Sequence, residues 1–195
     1  AILHHALIYP PSYERVSAEV SSLTDKPLTI KDRLPSTRRR TGVDLVLLDL
    51  ATRTDVGKSI RQSVYDPLTT GKTQVVWRNY EAAQDVNSLD PASREKSTYV
   101  LQEYFVPAAA YNSFVETMTG ILSSSDANVL NVAIRHAEAD HETLLSWARE
   151  DVFSFVLYYE QGTDSAAKAG VEVWTRKLVD AAIQHGGSYY LPYQI

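Results

Sequence analysis

Twice along this chain a strand-like run leads into an amphipathic helix and out into a second strand-like run. That duplicated order constrains the fold more than any other feature. In the first unit Tyr99 to Val106 (YVLQEYFV) is rich in β-branched and aromatic residues, as strands are. Pro107 then opens a helix, where its missing N–H costs nothing. Three- and four-residue steps put Tyr111, Phe114, Val115, Met118, Ile121 and Leu122 on one stripe, and Ser123-Ser124-Ser125-Asp126 ends it. Val129 to His136 (VLNVAIRH) alternates, with Leu130, Val132 and Ile134 pointing one way and Asn131, Ala133 and Arg135 the other. Asp140 is placed to cap a short helix holding Leu144, Leu145 and Trp147.

The second unit opens with Phe153 to Glu160 (FSFVLYYE), a third strand. Thr163 or Asp164 caps a long helix running to about His185, whose inner stripe is Ala167, Val171, Trp174, Leu178 and Ala181 or Ala182. Gly186 is a left-handed stop, and the tyrosine-rich segment Gly186 to Ile195 supplies a fourth strand. The expected fold class is α+β: a ferredoxin-like βαββαβ antiparallel sheet over residues 99–195, with both helices on one face. Residues 1–98 form a mixed extension of the same domain. There Leu7 to Tyr9 ends a strand, Lys26 to Arg40 is a loop, and Val43 to Leu50 is helix or buried strand. Asp55 to Tyr65 is a helix, Lys72 to Tyr80 (KTQVVWRNY) a strand, and Asp85 to Ser97 a connector. With helices on one face, the other is solvated or covered by something outside these residues.

Composition removes several functions. A formal charge of −5, from 19 basic and 24 acidic residues, gives no electrostatic case for nucleic acid. The chain has no cysteine, so it has neither a disulfide framework nor a thiolate nucleophile. No run approaches the roughly 20 apolar residues of a membrane span, and the apolar start lacks a signal peptide's basic region. There is no phosphate-binding glycine loop and no Gly-x-Ser-x-Gly elbow. His136, Glu138, Asp140 and His141 match no metal-ligand spacing, so no metal site is expected. Arg38-Arg39-Arg40 reads as a solvated loop.

Two features suggest a binding face. Arg135 stands mid-strand on the polar side of an apolar strand, where a permanent cation suits an anionic or polyoxygenated ligand; the plain alternative is a surface arginine paired to Glu103 or Glu160. Tyr158, Tyr159, Tyr189, Tyr190 and Tyr193 crowd two strands, able to stack on a flat ring or hold hydroxyls; the plain alternative is strand propensity.

The stretches VWRNYEAAQDV (76–86), YVLQEYFVP (99–107), VLNVAIRHAEAD (129–140), FSFVLYYEQGTD (153–164) and VWTRKLVDAAIQHGGSYYLPYQ (173–194) resemble bacterial FAD-linked oxidases of the vanillyl-alcohol oxidase superfamily, near the aldonolactone and alditol oxidases. LHHALIYPP (3–11) resembles the exit from their FAD-binding domain. The resemblance is dense from Val76 onward and thin between Ala18 and Gly71. It implies a substrate (cap) domain of a larger cytoplasmic enzyme, partnered by its own FAD-binding domain and a small-molecule substrate, and inactive alone. The end of the chain on an aromatic strand fits that expectation. FAD would be the cofactor, gripped mainly by residues outside this chain. The resemblance implies catalytic roles for Arg135, Tyr190 and Tyr193, with Arg135 and Tyr190 beside the flavin, and substrate contacts from Glu103, Tyr158 and Asn131. It departs from the family at Ala133, where an acidic residue is common, and at Tyr193, where a lysine is common. The rival expectation is a non-enzymatic ferredoxin-like module that binds a ligand or partner on its open face.

Overall fold

The structure is a computed structural model that describes residues 3–35, 54–60, 73–83, 94–144 and 146–193. Its centre is one six-stranded antiparallel sheet, in the order β2-β1-β4-β5-β3-β6. The strands are β1 (Leu3–Ile8), β2 (Val16–Ser21), β3 (Ser97–Pro107), β4 (Asn128–Ala137), β5 (Val152–Gly162) and β6 (Ser188–Tyr189). Four helices are present among the described residues: α1 (Asp55–Ile60), α2 (Arg78–Ala82), α3 (Tyr111–Ser123) and α4 (Ser165–Gln184). The fold is therefore α+β, and the extension supplies β1 and β2 to the same sheet.

Helices α3 and α4 pack on one sheet face. The stripe expected on α3 is the one that faces inward, burying Phe114, Met118 and Leu122. Helix α4 starts at Asp164, whose carboxylate accepts the Ala167 amide at 2.9 Å, and buries Trp174, Leu178, Val179, Ala181 and Ala182. Thr175 is buried too, its hydroxyl bonded back to the Val171 carbonyl at 2.9 Å. Across the sheet, Tyr104, Phe155 and Ile134 stand in one row, and Leu157, Val132 and Ile8 in the row set by Leu157. Paired residues of antiparallel strands share a face, so these rows form one apolar floor. Phe114 meets Phe155 edge-on at 4.9 Å, and Tyr159 meets Trp174 edge-on at 4.8 Å. Each such fully buried side chain contributes about 1.5–3 kcal/mol, which is what holds the layers together.

The structure corrects the sequence reading in five places. The described part of the Lys72 to Tyr80 stretch, residues 73–80, is not a strand: Val75 bonds to Thr29 through both backbone groups, the Trp77 indole donates to the Lys31 carbonyl, and α2 begins at Arg78. Among the described residues between Asp140 and Ala148 there is no helix. The Asp140 side chain accepts the amides of Glu142 and Thr143, but the segment is a loop closed at its base by Asp140 N–H to the Ala148 carbonyl at 2.7 Å. Leu130 does not join Val132 and Ile134, because a bulge between Val129 and Asn131 puts Val129 in the core cluster instead. The strand at Val16–Ser21 was not expected. The tyrosine segment is a strand only at Ser188–Tyr189: Pro192 has no N–H for a ladder, and Tyr193 N–H turns back to the Tyr190 carbonyl at 3.3 Å. The Arg38–Arg40 run, Val43 to Leu50, Asp55 to Tyr65 beyond Ile60, most of Asp85 to Ser97 and Leu145 lie outside the described residues.

Two glycines bring β6 to the sheet. Gly186 has φ +78°, and a Cβ on Gly187 would stand 2.2 Å from the Phe105 carbonyl oxygen. That neighbour is backbone, so it cannot swing aside. Gly187→Ala is expected to cost about 3 kcal/mol and to detach β6, read from denaturant unfolding and from amide exchange at Tyr189 and Tyr190. Tyr104 offers the opposite case. Its hydroxyl is buried with no hydrogen-bond partner among the described residues. Tyr104→Phe is expected to leave stability unchanged or raise it by about 1 kcal/mol, measured by the same unfolding curves.

Candidate functional site

The sheet face opposite the helices carries the polar side chains. Register orders them in rows: Arg135, Ser154 and Phe105; then Ala133, Val156 and Glu103; then Asn131, Tyr158 and Leu101. Alternation along β4 and β5 puts them here, because the intervening residues are claimed by the helices. Ser154 is buried at 3 % exposure and donates to Glu103 Oε1 at 2.6 Å. The bond spans neighbouring strands and ties down a half-buried carboxylate.

The chain after β6 closes on this point. Tyr190 N–H donates to the Glu103 carbonyl at 2.9 Å, carrying the pairing one residue past the strand. The Tyr190 ring meets the Tyr193 ring edge-on at 4.9 Å. Tyr193 in turn feels both charges. Its phenol is held above the ordinary value of 10.0, first by desolvation and then by the Glu103 carboxylate and Tyr190, while Arg135 pulls the other way. Glu103, Arg135, Tyr190 and Tyr193 thus form one corner around Ser154. The corner offers a carboxylate acceptor, a guanidinium and a protonated phenol.

Asn131 and Tyr158 lie on the same face but not in that corner. They pair across β4 and β5, and four strand residues, about 13 Å, separate Asn131 from Arg135. Tyr158 packs against Tyr99 at 5.3 Å, forming a second, more apolar patch. Glu160 lies further along and is engaged by Ser97 Oγ at 2.6 Å and Asn128 Nδ2 at 2.9 Å. Tyr159 and Tyr189 belong to the helix side. Tyr159 is 1 % exposed, and burial pushes its phenol up to about 12 despite a bond to Gln102. Tyr189 packs against the main core.

Part of the face is covered by the chain itself, where the sequence reading has it either solvated or covered from outside. The loop between β4 and β5 folds back over one end, where Phe105, Ala148 and Val152 form a small second core with Ala137. Trp147 stacks on Phe105 at 4.4 Å. Sequence reasoning missed Ser154 and Trp147. The signal for Ser154 was a lone small polar residue between two phenylalanines, in phase with Tyr158.

Other places have less to offer. A shallow cleft of about 230 Å³ lies on the helix side, lined by Tyr159, Gln161, Ser165, Lys168 and Glu172, away from the polar corner. His136 packs on Phe153 at 5.4 Å, Asp140 holds its turn, and among the described residues no three His, Asp or Glu side chains converge to hold a metal. No helix among the described residues is long and apolar enough to cross a membrane. A scan against protein-family models finds no match, and a search of curated proteins finds none.

The Tyr193 environment is testable by sign. Glu103→Gln removes an anion that resists phenolate formation, so the Tyr193 pKa falls. Arg135→Ala removes a cation that favours phenolate, so it rises. Ring NMR of carbon-labelled tyrosine across alkaline pH is expected to show these opposite shifts at Tyr193 and neither at Tyr159.

Proposed function

We propose that this chain is the substrate (cap) domain of an FAD-dependent oxidoreductase acting on an alcohol or sugar-like substrate, with the polar corner as its share of the active centre. The observation that carries the reading is the gathering of Arg135, Glu103, Tyr190 and Tyr193 on the sheet face that the helices leave open. The central strand order β4-β5-β3-β6, with α3 and α4 on the opposite face, supports a ferredoxin-like core.

The residues present suit one end of a flavin. Tyr190 and Tyr193 offer aromatic edges for a flat ring, and Arg135 offers a cation where negative charge would collect. The chain has no glycine loop to grip a diphosphate, so that half belongs to a second domain. Bound there, the flavin would supply the acceptor for hydride from a carbon bearing a hydroxyl. This chain would supply position and charge. Glu103, fixed by Ser154, accepts a substrate hydroxyl proton donor at a set height above the sheet. The Tyr193 phenol, kept protonated, donates a hydrogen bond to an oxygen of substrate or ring. Arg135 offsets negative charge that develops beside it. Asn131 and Tyr158 would touch the distant end of a longer substrate.

The test joins this chain to the flavin-binding domain of its own gene product. Arg135→Ala is expected to lower kcat/KM by about 100-fold, a loss of about 2.7 kcal/mol, and to make the bound flavin's reduction potential more negative. Wild-type turnover and potential in that variant would remove Arg135 from the chemistry. The chain by itself is expected to lose FAD on dialysis, and firm retention would sink the division of labour proposed here.

A further inference from the structure

Trp147 is 51 % exposed, with its indole against the buried Phe105 ring at 4.4 Å. The loop that carries it is fixed on both sides. Asp140 N–H donates to the Ala148 carbonyl at 2.7 Å, Ala139 N–H to Asp151 Oδ1 at 3.0 Å, and Ala108 N–H to the Asp151 carbonyl at 2.8 Å. Ser146 Oγ also donates to the Ala148 carbonyl at 3.0 Å, and Ala148 itself is 2 % exposed. The indole is therefore preorganised: one side is supported by Phe105 and much of the rest is left to solvent. Register places it at the polar corner, because Phe105 shares a cross-strand row with Ser154 and Arg135. Two strand spacings separate the backbone of Phe105 from that of Arg135, about 10 Å. Between them lies Ser154 of β5, whose bonded partner Glu103 stands two residues from Phe105 on β3.

We propose that Trp147 determines specificity: it is a stacking platform for the flat apolar face of a ring-bearing alcohol whose hydroxyls reach Glu103 and Arg135. The proposal rests on the reading above that this face receives a small alcohol. The roughly 10 Å from the β3 backbone to the β4 backbone, taken across β5, is the width of sheet surface that one ring with its substituents would cover. A ring laid on the indole gains stacking and apolar burial, whereas an open-chain polyol gains only the hydrogen bonds and leaves the indole wet. The ring can be aromatic or the C–H face of a pyranose; both present the same flat apolar chemistry.

The probes are benzyl alcohol, methyl glucopyranoside and, as the open-chain control, sorbitol. Affinities are read for the chain by amide chemical-shift titration. At least one ring probe is expected to bind about tenfold more tightly than sorbitol, moving the Trp147 indole N–H and the Glu103 and Tyr190 amides. Trp147→Ala is expected to erase that tenfold preference while sorbitol binding stays as it was; Trp147→Phe keeps part of it. Which ring probe binds identifies the source of the flat face. Equal affinity for rings and sorbitol, failure of both ring probes to bind, or a preference that survives Trp147→Ala overturns the proposal. If Trp147→Ala does not fold, fluorescence in a Trp77→Phe background decides. Ring probes then shift indole emission and sorbitol does not, since Trp174 is buried and the half-exposed Trp77 has been removed. The two readings fail separately. Rings bound through Trp147 but never oxidised in the joined flavoprotein defeat the flavin reading alone. Oxidation with an unchanged ring-to-chain KM ratio in Trp147→Ala defeats the platform alone.

Discussion

The pairing register of β4 with β5 is the constraint on which the rest depends. It sets Ile134 beside Phe155 and Val132 beside Leu157 on one face, and Arg135 beside Ser154 on the other. A slip of one residue would pair Arg135 with a phenylalanine and send either Arg135 under the helices or Phe155 into water, so burial of the apolar row enforces the placement of the polar one. The bulge at Leu130 is what allows both Val129 and Val132 to join the core despite their odd spacing. The backbone positions of the polar corner are therefore set by the hydrophobic core on the far side of the sheet, and its own contacts, such as Ser154 to Glu103, fix the side chains.

The second determinant is how the chain returns to the open face at two points. The loop after β4 is clipped at its base and folds Ala148 and Trp147 over Phe105. The turn after β6 brings Tyr193 back against Tyr190. Neither return has a regular element to carry it. The first is held by backbone amides that donate to the Asp140 and Asp151 carboxylates, and the second depends on the close approach that Gly187 permits. Together they turn an otherwise flat sheet surface into a corner with walls.

The parts legible in the sequence were those governed by period. The stripes on α3 and α4, the capping of α4 at Asp164 and the helix ends at Ser124 and Gly186 follow from local spacing and chemistry. So did the two-sidedness of β4, which put Arg135 and Asn131 on the polar side. What period could not show was distance along that side. Asn131 and Tyr158 share a face with Arg135 yet lie apart from it, and a face is not a site. The short β6, the loop in place of a helix after Asp140, and the engagement of Val75 by Thr29 all turn on contacts distant in sequence or on one missing N–H. Local propensity carries no record of such partners.

Ser154 is the residue where stability and use pull apart. Its position lies between Phe153 and Phe155 in a strand whose neighbours are apolar, and it is nearly sealed from water. An alanine or valine there would satisfy the sheet without asking anything of Glu103. Instead the serine hydroxyl is spent on a carboxylate that is itself half-buried, and a carboxylate so placed needs its hydrogen bonds to offset lost hydration. The pair makes sense if Glu103 must keep one oxygen fixed and the other available beside Tyr190 and Tyr193. A surface kept only for solubility would leave the carboxylate in water and the strand position apolar. The polar pair across two largely apolar strands is thus the strongest physical reason to regard the open face as a place where a ligand is held.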